Sequence, residues 1–377
     1  MKTHEMKPLE SELNGKKLHW VNIEQQPFDI TGFGWREKEG GFCRLPKHVL
    51  SDSSVNESAR TLGWHTSGGM LRFKTNSPCL AIKAEYVCKT YSGNMSVSGI
   101  SGFDIYLGCG PRKKYLNTAI PLLNFKQGKT GLEKTFGFDT PSTEADYKLE
   151  NFLFNRGTFP DLLEVSINFP LVDGVKNLQI GVAPESAILP PTPFKHSKPI
   201  AFYGTSITQG GCASRPGNAY TNILGRWLDS PVLNFGFSGS GRGEPAMARA
   251  IAELELGAFV LDHDANAPSV GHLEQTYEPF FKIIREKHPA IPVLIMSRPN
   301  YDSCPADSDA RVSVIRRTYD NAVAAGDRNV YFIHGKTLFG KKDRDACTVD
   351  GCHPNDFGFM RMAYKIYPVL KNPIEAQ

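Results

Sequence analysis

Residues 200–210 read Ile-Ala-Phe-Tyr-Gly-Thr-Ser-Ile-Thr-Gln-Gly. The first four residues are an apolar strand candidate, and Gly204 begins a turn rich in small and hydroxyl residues. Further apolar strand candidates follow at residues 232–235, 259–262, 293–296 and 330–333. Amphipathic helical patterns lie between them and after the last, and this alternation predicts a parallel sheet. Five strands with covering helices predict a three-layer α/β/α domain.

The first half of the chain has a different pattern. Short alternating or apolar runs at residues 70–75, 80–87, 103–107, 162–169 and 178–182 are joined by turn residues, which predicts an antiparallel, jelly-roll-like β-sandwich. No helical periodicity of useful length appears there. The proline-rich stretch 189–196 predicts a boundary. We therefore expect a β-sandwich domain over residues 1–193 and an α/β domain over residues 194–377.

Composition and charge narrow the class of protein. The 377 residues carry 43 basic and 39 acidic side chains, and this net charge of +4 is too small to predict binding to nucleic acid or to an anionic membrane. No stretch approaches the roughly 20 apolar residues that span a bilayer, and residues 1–17 lack the apolar core of a signal peptide. We expect a cytoplasmic protein, or a periplasmic or secreted one whose leader has been removed. The sequence does not indicate an oligomeric state.

Four polar segments follow the predicted strands. They are residues 204–210, 236–241, 263–266 and, just before the last predicted helix, 350–353. Ligands of open parallel sheets bind outside the carboxyl ends of the strands. We therefore expect a serine, glycines, an asparagine and an acid–imidazole pair to meet at one edge of the sheet.

Each of these groups has a role in acyl transfer. A serine hydroxyl is a poor nucleophile until a base removes its proton, so we expect Ser206 to attack and His353 to act as the base. Asp350 can orient the imidazole and stabilise its charged form. The tetrahedral oxyanion needs preorganised donors, which the backbone N–H groups of Ser206 and Gly239 and the side-chain amide of Asn266 can supply. This chemistry requires no metal and no organic cofactor.

The four segments resemble those of the SGNH, or GDSL-like, hydrolase superfamily, named for its Ser, Gly, Asn and His. Gly204-Thr-Ser206 resembles the first segment, and the segments ending at Gly239, Asn266 and His353 resemble the others in order and spacing. One position departs, because Thr205 replaces an aspartate that helps to organise the turn in many relatives. That acid is not the base, so we expect activity to survive. The Gly-x-Ser-x-Gly elbow of the α/β-hydrolases is not found, since residue 208 is threonine.

The first half carries a second resemblance. Gly102-Phe-Asp-Ile-Tyr106 is similar to the Gly-x-Asp-Leu-Tyr signature of a β-sandwich domain that precedes some bacterial SGNH hydrolases. Such two-domain enzymes resemble carbohydrate esterases that remove acetyl groups from polysaccharides or oligosaccharides. The resemblance implies a small-molecule or glycan ester as the substrate. In this domain Trp64, His65 and Asp104 either face the cleft between the domains or hold the sandwich together.

Structural roles are the alternatives for the candidate residues. Ser206 and Gly239 can simply form turns, and Asn266 can cap the segment that follows it. A backbone carbonyl can replace Asp350 in orienting the histidine. Four further residues are candidates for substrate contact, with a helix cap, a structural role or a solvated charge as the alternative: Arg242, Glu244, Asp264 and Arg298.

Cys347 and Cys352 lie on either side of Asp350. They form either a disulfide that stiffens this loop or two separate thiols. No second cysteine or histidine pair with ligand spacing accompanies them, so we expect no zinc site.

The sequence thus predicts a serine esterase that hydrolyses a short acyl ester, with acetyl on a carbohydrate as the preferred substrate. One alternative is another SGNH chemistry, that of a lysophospholipase or a thioesterase, which a long apolar acyl channel would favour. The other alternative is a carbohydrate-binding protein on an inactive hydrolase scaffold.

Overall fold

The computed structural model describes residues 9–13, 16–25, 27–87, 90, 92–121, 148–155 and 162–376. The first half of the described chain is built mainly from strands. These are β1 (Leu9–Leu13), β2 (Lys16–Asn22), β3 (Asp29–Thr31), β4 (Met70–Thr75), β5 (Cys79–Tyr86), β6 (Phe103–Leu107), β7 (Lys114–Ala119), β8 (Lys148–Asn155), β9 (Leu163–Asn168), β10 (Val175–Val182) and β11 (Ile188–Leu189).

These strands form two antiparallel sheets that pack face to face. One has the order β1-β2-β10-β5-β8, and the other has the order β11-β4-β9-β6-β7, with β3 paired to β4. Side chains on alternate positions fill the space between the sheets because successive residues of a strand point to opposite faces. Leu71 and Phe73 of β4 and Ile180 of β10 are fully buried in this core. The predicted antiparallel sandwich is confirmed.

Four short helices in the first half are not apparent from the sequence. They are α1 (Arg36–Glu39), α2 (Lys47–Leu50), α3 (Glu57–Leu62) and α4 (Val97–Ile100). Their absence from the sequence pattern has a physical reason. A helix of four to six residues has at most two turns, which is too short to show the 3.6-residue apolar repeat.

The second half contains a five-stranded parallel sheet. Its strands are β12 (Ile200–Gly204), β13 (Val232–Gly236), β14 (Ala258–Asp262), β15 (Val293–Met296) and β16 (Val330–Ile333), in the order β13-β12-β14-β15-β16. The helices are α5 (Ser206–Gln209), α6 (Tyr220–Leu228), α7 (Pro245–Ala252), α8 (Val270–Lys287), α9 (Pro305–Ala324) and α10 (Asp356–Glu375). This is the predicted three-layer α/β arrangement.

The helices cover both faces of the parallel sheet. α7, α8 and α9 contribute to the core on one face, and α6 and α10 contribute to the core on the other. From β12 the chain passes to β13 on one side and then crosses to β14 on the other side of β12. Ligands bind at such a switch point, beyond the carboxyl ends of the strands. No helix in the described ranges is long and apolar enough to cross a membrane.

Part of the first half packs against the parallel sheet. Trp35, Leu45, Val49 and Ala59, from the segment that contains α1 to α3, lie in the same core as α7 and α8. The division of the chain at residue 193 stays a prediction, because these helices precede it in sequence but cover the sheet that follows it.

Candidate active site

Ser206 is the first residue of the short helix α5, directly beyond the end of β12. A side chain on Gly204 would lie 2.1 Å from Oγ1 of Thr208 and 2.3 Å from the carbonyl oxygen of Asp262, so only glycine fits there. Thr205 caps α5, since its hydroxyl oxygen accepts a hydrogen bond from the backbone N–H two residues on. The turn leaves Ser206 partly exposed, whereas its neighbours on both sides are buried.

Three side chains from distant parts of the sequence form a hydrogen-bonded chain. His353 Nε2 lies 3.0 Å from Ser206 Oγ, and His353 Nδ1 lies 2.7 Å from Asp350 Oδ2. A carboxylate only accepts, so Nδ1 carries the proton and Nε2 is free to accept from the serine hydroxyl. The side chains of His353 and Asp350 are 27% and 33% exposed, which leaves the group open to a substrate.

The carboxylate of Asp350 is held in its charged form. Partial burial disfavours the charge, but hydrogen bonds from the backbone N–H and ring of His353, from the Cys352 N–H and from Asn94 outweigh that effect. Together they keep the pKa of Asp350 well below its usual range. An ionised partner assists a histidine base, because it stabilises the imidazolium that forms when the base takes a proton.

Local sequence shapes the loop that carries this acid and base. Asp350 Oδ1 accepts from the backbone N–H groups of Cys352 and His353, at 3.0 and 2.7 Å. Gly351, which follows the aspartate, has a φ of 80°. Aspartate and glycine are favoured in such turns because one bonds its own backbone and the other tolerates a positive φ. Asn355 then caps α10 by accepting from two backbone N–H groups.

Three donors at this edge of the sheet have no acceptor in the described part of the chain. They are the backbone N–H groups of Ser206 and Gly239 and the side-chain amide of Asn266. The Asn266 carbonyl accepts from the Gly241 N–H at 3.3 Å, so its NH₂ group remains available. Gly239 is exposed and has a φ of 67°. Free donors at one sheet edge are what an oxyanion requires.

Buried Gln209, the last residue of α5, supports the loop that carries Gly239. Its side-chain carbonyl accepts from the Ser238 N–H at 3.0 Å, and its NH₂ group donates to the Leu171 carbonyl and to Nδ1 of His65. Nδ1 of His65 must therefore be unprotonated, so that it can accept from the amide. Burial lowers the pKa of this histidine to about 3, which keeps the ring neutral. Sequence reasoning missed Gln209, because nothing in the chain marks a contact with a residue 144 positions away.

The signature in β6 connects the two halves of the chain. Asp104, which is fully buried, accepts from the Arg215 guanidinium at 2.6 Å and from the Gly217 N–H at 2.8 Å. The hydroxyl of Tyr106 accepts from the same arginine at 2.7 Å. The aspartate and tyrosine of the signature thus hold the loop before α6. Asp104 also accepts from the Thr118 hydroxyl of β7 at 2.6 Å, so it bonds within the sandwich as well as to the other half of the chain. Trp64 is 44% exposed.

The four weaker candidates for substrate contact lie in different surroundings. Arg242 is exposed next to the Gly239 loop. Glu244 accepts from the Asn56 side chain at 2.5 Å and so links α7 to the segment before α3 instead of capping α7. Asp264 is fully buried, and burial raises its pKa to about 6. Arg298 forms an ion pair with Asp307 at 2.6 Å. Of the four, the structure leaves Arg242 open to a ligand, and substrate contact by any of them stays a prediction.

Cys347 and Cys352 are both free thiols. Cys347 is buried under α10, where its sulfur accepts from the Arg361 guanidinium, and Cys352 accepts from the Asn300 amide. The described residues contain no group of three or more histidine, cysteine or acidic side chains that could hold a metal ion.

The three-layer α/β/α fold and the GDSL-like segments at its sheet edge are those of a carboxylic ester hydrolase. Residues 197–371 match the family model of the GDSL-like lipase/acylhydrolases, and residues 18–188 match that of the GxDLY domain, described as the N-terminus of SGNH-hydrolase-type esterases. The second half of the chain thus belongs to the GDSL-like lipase/acylhydrolase family, and the first half is a GxDLY domain. No curated protein matches the chain in sequence.

Solved structures resemble the chain over almost its whole length. A Bacteroides ovatus protein described as a GDSL-like lipase is 26% identical, with a TM-score of 0.79 over 95% of this chain and 98% of that one. The salicylyl-acyltransferase SsfX3 of a tetracycline biosynthetic pathway is 18% identical, with a TM-score of 0.72 over 95% and 97%. A family two carbohydrate esterase from Clostridium thermocellum, in complex with cellohexaose, is 14% identical, with a TM-score of 0.60 over 93% and 100%. The last two similarities concern the fold alone.

Proposed function

We propose that this esterase removes short acyl groups, chiefly acetyl, from carbohydrate through an acyl-Ser206 intermediate. The observation that carries the mechanism is the hydrogen-bonded chain from Ser206 through His353 to Asp350. The proposal of a sugar substrate is supported by the GxDLY domain and by structural neighbours that are carbohydrate esterases. The three unpaired donors at the same sheet edge as Ser206 agree with acyl chemistry there.

The first half of the reaction acylates the enzyme. Ser206 Oγ attacks the ester carbonyl carbon while His353 Nε2 takes the hydroxyl proton, and Asp350 stabilises the imidazolium. The carbonyl oxygen becomes an oxyanion, which the N–H groups of Ser206 and Gly239 and the amide of Asn266 bind. When the intermediate collapses, the bond to the sugar oxygen breaks and that oxygen takes the proton from His353.

The second half releases the acid. A water molecule attacks the acyl carbon and gives a proton to His353 Nε2, and the same donors bind the new oxyanion. The bond to Ser206 Oγ then breaks and the serine recovers its proton. The products are one carboxylic acid and one sugar hydroxyl, so no external reactant besides water is consumed.

The test is the release of acetate from a panel of acetylated glycans by the parent protein and by Ser206→Ala. We expect the parent to release acetate and the variant to be slower by about 10³-fold or more, because removing a triad nucleophile leaves only binding and oxyanion stabilisation. Ser313→Ala, which removes an exposed hydroxyl on α9, is the matched control and should behave as the parent does. Equal acetate release by parent and Ser206→Ala would end the proposal.

A chain-length series of p-nitrophenyl esters tests the acyl preference. We expect acetate to be cleaved faster than octanoate. Faster cleavage of octanoate would favour a lysophospholipase or thioesterase. Glycan binding without turnover of any short ester would identify a binding protein.

A further inference from the structure

The carboxylate of Asp350 accepts four hydrogen bonds, and one of them comes from the other half of the chain. Oδ1 accepts from the N–H groups of Cys352 and His353. Oδ2 accepts from His353 Nδ1 at 2.7 Å and from the side-chain amide of Asn94 at 2.9 Å. Three donors thus belong to the loop that carries the acid itself. Asn94 belongs to the β-sandwich half, 256 residues away in sequence.

The amide of Asn94 is itself held in place. Its carbonyl oxygen accepts from the hydroxyl of Ser92 at 2.6 Å, which fixes the NH₂ group toward Asp350. The segment continues into α4, where the hydroxyls of Ser96 and Ser98 both donate to the backbone carbonyl of Ser214, at 2.7 and 2.5 Å.

Ser214 in turn connects this segment to the helix that follows the histidine. Its N–H donates to Asp356 Oδ1 at 2.8 Å, and its hydroxyl donates to Oδ2 of the same side chain at 2.5 Å. Asp356 is the first residue of α10. Asn94 therefore approaches Asp350 from a segment that is connected, through Ser214, to the first residue of α10, just after the catalytic loop.

We propose that Asn94 is a positioning residue, contributed by the GxDLY domain, that fixes the orientation of the Asp350 carboxylate toward His353. The inference rests on the proposed function, since it takes Asp350 and His353 as the acid and base of the reaction. Two hydrogen bonds to Oδ2 from different directions oppose rotation of the carboxylate. Without Asn94 the remaining donors to the carboxylate all belong to Cys352 and His353, so nothing outside the loop fixes the Asp350 side chain.

The groups that face Asp350 make the effect of a new charge easy to measure. Its titratable neighbours are His353 and Cys352 on the same loop and Cys212 beyond α5. Both thiols are uncharged at neutral pH, because burial, together with the charge of Asp350, raises their pKa values, that of Cys212 to about 12. Asn94 is neutral, so Asn94→Asp would add a second negative charge beside the imidazole.

The experiment compares Asn94→Ala and Asn94→Asp with the parent, using p-nitrophenyl acetate across pH 5 to 9. In Asn94→Ala we expect kcat to fall about 3- to 10-fold with KM within about twofold, the range for one partly exposed hydrogen bond. In Asn94→Asp we expect the acidic limb of the kcat/KM profile to move to higher pH, because the added charge favours the protonated imidazole. Thermal unfolding of each variant is measured beside activity.

Asn321→Ala is the matched control. The Asn321 amide also donates to a carboxylate at 2.9 Å, that of Glu278, but between α8 and α9. This variant should keep the kcat and pH profile of the parent. Asn94 variants with the parental kcat and pH profile would overturn the proposal, as would variants that lose thermal stability and show no change in the pH profile.

Ser206→Ala, assayed in parallel, distinguishes failure of the positioning role from failure of the esterase mechanism. If Ser206→Ala is inactive and Asn94→Ala behaves as the parent does, the positioning role is wrong and the esterase mechanism stands. If Ser206→Ala keeps full activity, the mechanism itself falls, and the positioning role falls with it.

Discussion

Thr205 lies between the end of β12 and the serine of α5. Its hydroxyl oxygen accepts a hydrogen bond from the Ile207 N–H at 3.2 Å, and the residue is almost fully buried. A side-chain oxygen at this position satisfies a backbone donor at the start of the helix. Threonine therefore caps this helix, at the position where the GDSL-like pattern has an aspartate, without placing a carboxylate in a buried turn.

Removing this cap should destabilise the protein. We expect Thr205→Ala to lower the free energy of unfolding by about 1 kcal/mol, the usual cost of losing an N-cap oxygen. Thr205→Ser keeps the oxygen and should retain most of that stability. Urea unfolding of the three proteins measures the difference. Equal losses in the alanine and serine variants would show that the methyl group, and not the cap, matters.

At the scale of elements, the loop after β13 presents the Gly239 N–H in a left-handed backbone conformation. A side chain at this position would meet no atom within 4 Å, so space does not require glycine, but the φ of 67° favours it. Any other residue would strain the loop or tilt the N–H away from its position. Glycine at this position thus serves to orient its own backbone N–H and not to relieve crowding.

We expect Gly239→Ala to lower kcat by about 10-fold, because one oxyanion donor typically contributes 10²- to 10³-fold and a tilted donor keeps part of that effect. Gly326→Ala is the control, since Gly326 also has a positive φ, of 89°, and open space around it, at the end of α9. Both variants should lose similar stability. A Gly239→Ala enzyme with the kcat of the control would contradict the oxyanion role.

The elements that the sequence predicts well are those whose pattern is local. The run at residues 293–296 coincides with β15, and the run at residues 103–107 coincides with β6. The position of Ser206 follows from the end of a strand and that of His353 from the start of the last helix, so their meeting could be predicted. The contacts of Gln209 with His65 and of Asn94 with Asp350 could not, because they depend on how the two halves pack.

At the scale of the whole molecule, Arg44 joins the two halves from within. Its side chain is fully buried and donates to the carbonyls of Leu62 and His65 in the first half and of Asn234 and Gly236 in the second, at 2.7 to 2.8 Å. The guanidinium also lies 4.8 Å from the ring centre of Phe237. One side chain thus satisfies four carbonyls around the end of β13.

Replacing Arg44 by methionine removes the guanidinium donor from all four carbonyls, of which the Leu62 carbonyl keeps a bond from the His65 N–H. We expect Arg44→Met to lower the free energy of unfolding by about 3 kcal/mol or more, since each buried unsatisfied group costs about 1–3 kcal/mol. Arg316→Met, on the exposed surface of α9, is the control and should change stability little. Thermal unfolding followed by circular dichroism makes the comparison. Similar melting temperatures for the two variants would contradict this role.

Buried histidines should make the stability depend on pH. Burial lowers the pKa of both His65 and His263 to about 3, whereas an unfolded histidine titrates near 6.5. Between these values the unfolded state binds more protons, so each histidine makes stability fall as the pH decreases from about 6.5 toward 3. Asp264, whose pKa burial raises to about 6, acts in the opposite direction.

His263→Leu should weaken this dependence, because both ring nitrogens of His263 are buried without a partner in the described part of the chain. We expect the variant to lose less stability than the parent between pH 7 and pH 4.5, as measured by urea unfolding at the two pH values. His48→Leu changes an exposed histidine and should keep the parental difference. An unchanged difference in His263→Leu would contradict the assignment.

The packing of α1 to α3 against the parallel sheet has a consequence for synthesis on the ribosome. These helices are complete by residue 62, but the sheet they cover ends with β16 at residue 333. At a translation rate of about 5–20 residues per second, their apolar faces wait for their partner for tens of seconds. We therefore expect the nascent first half to expose this apolar surface during that time and to reach its native packing only when translation is nearly finished.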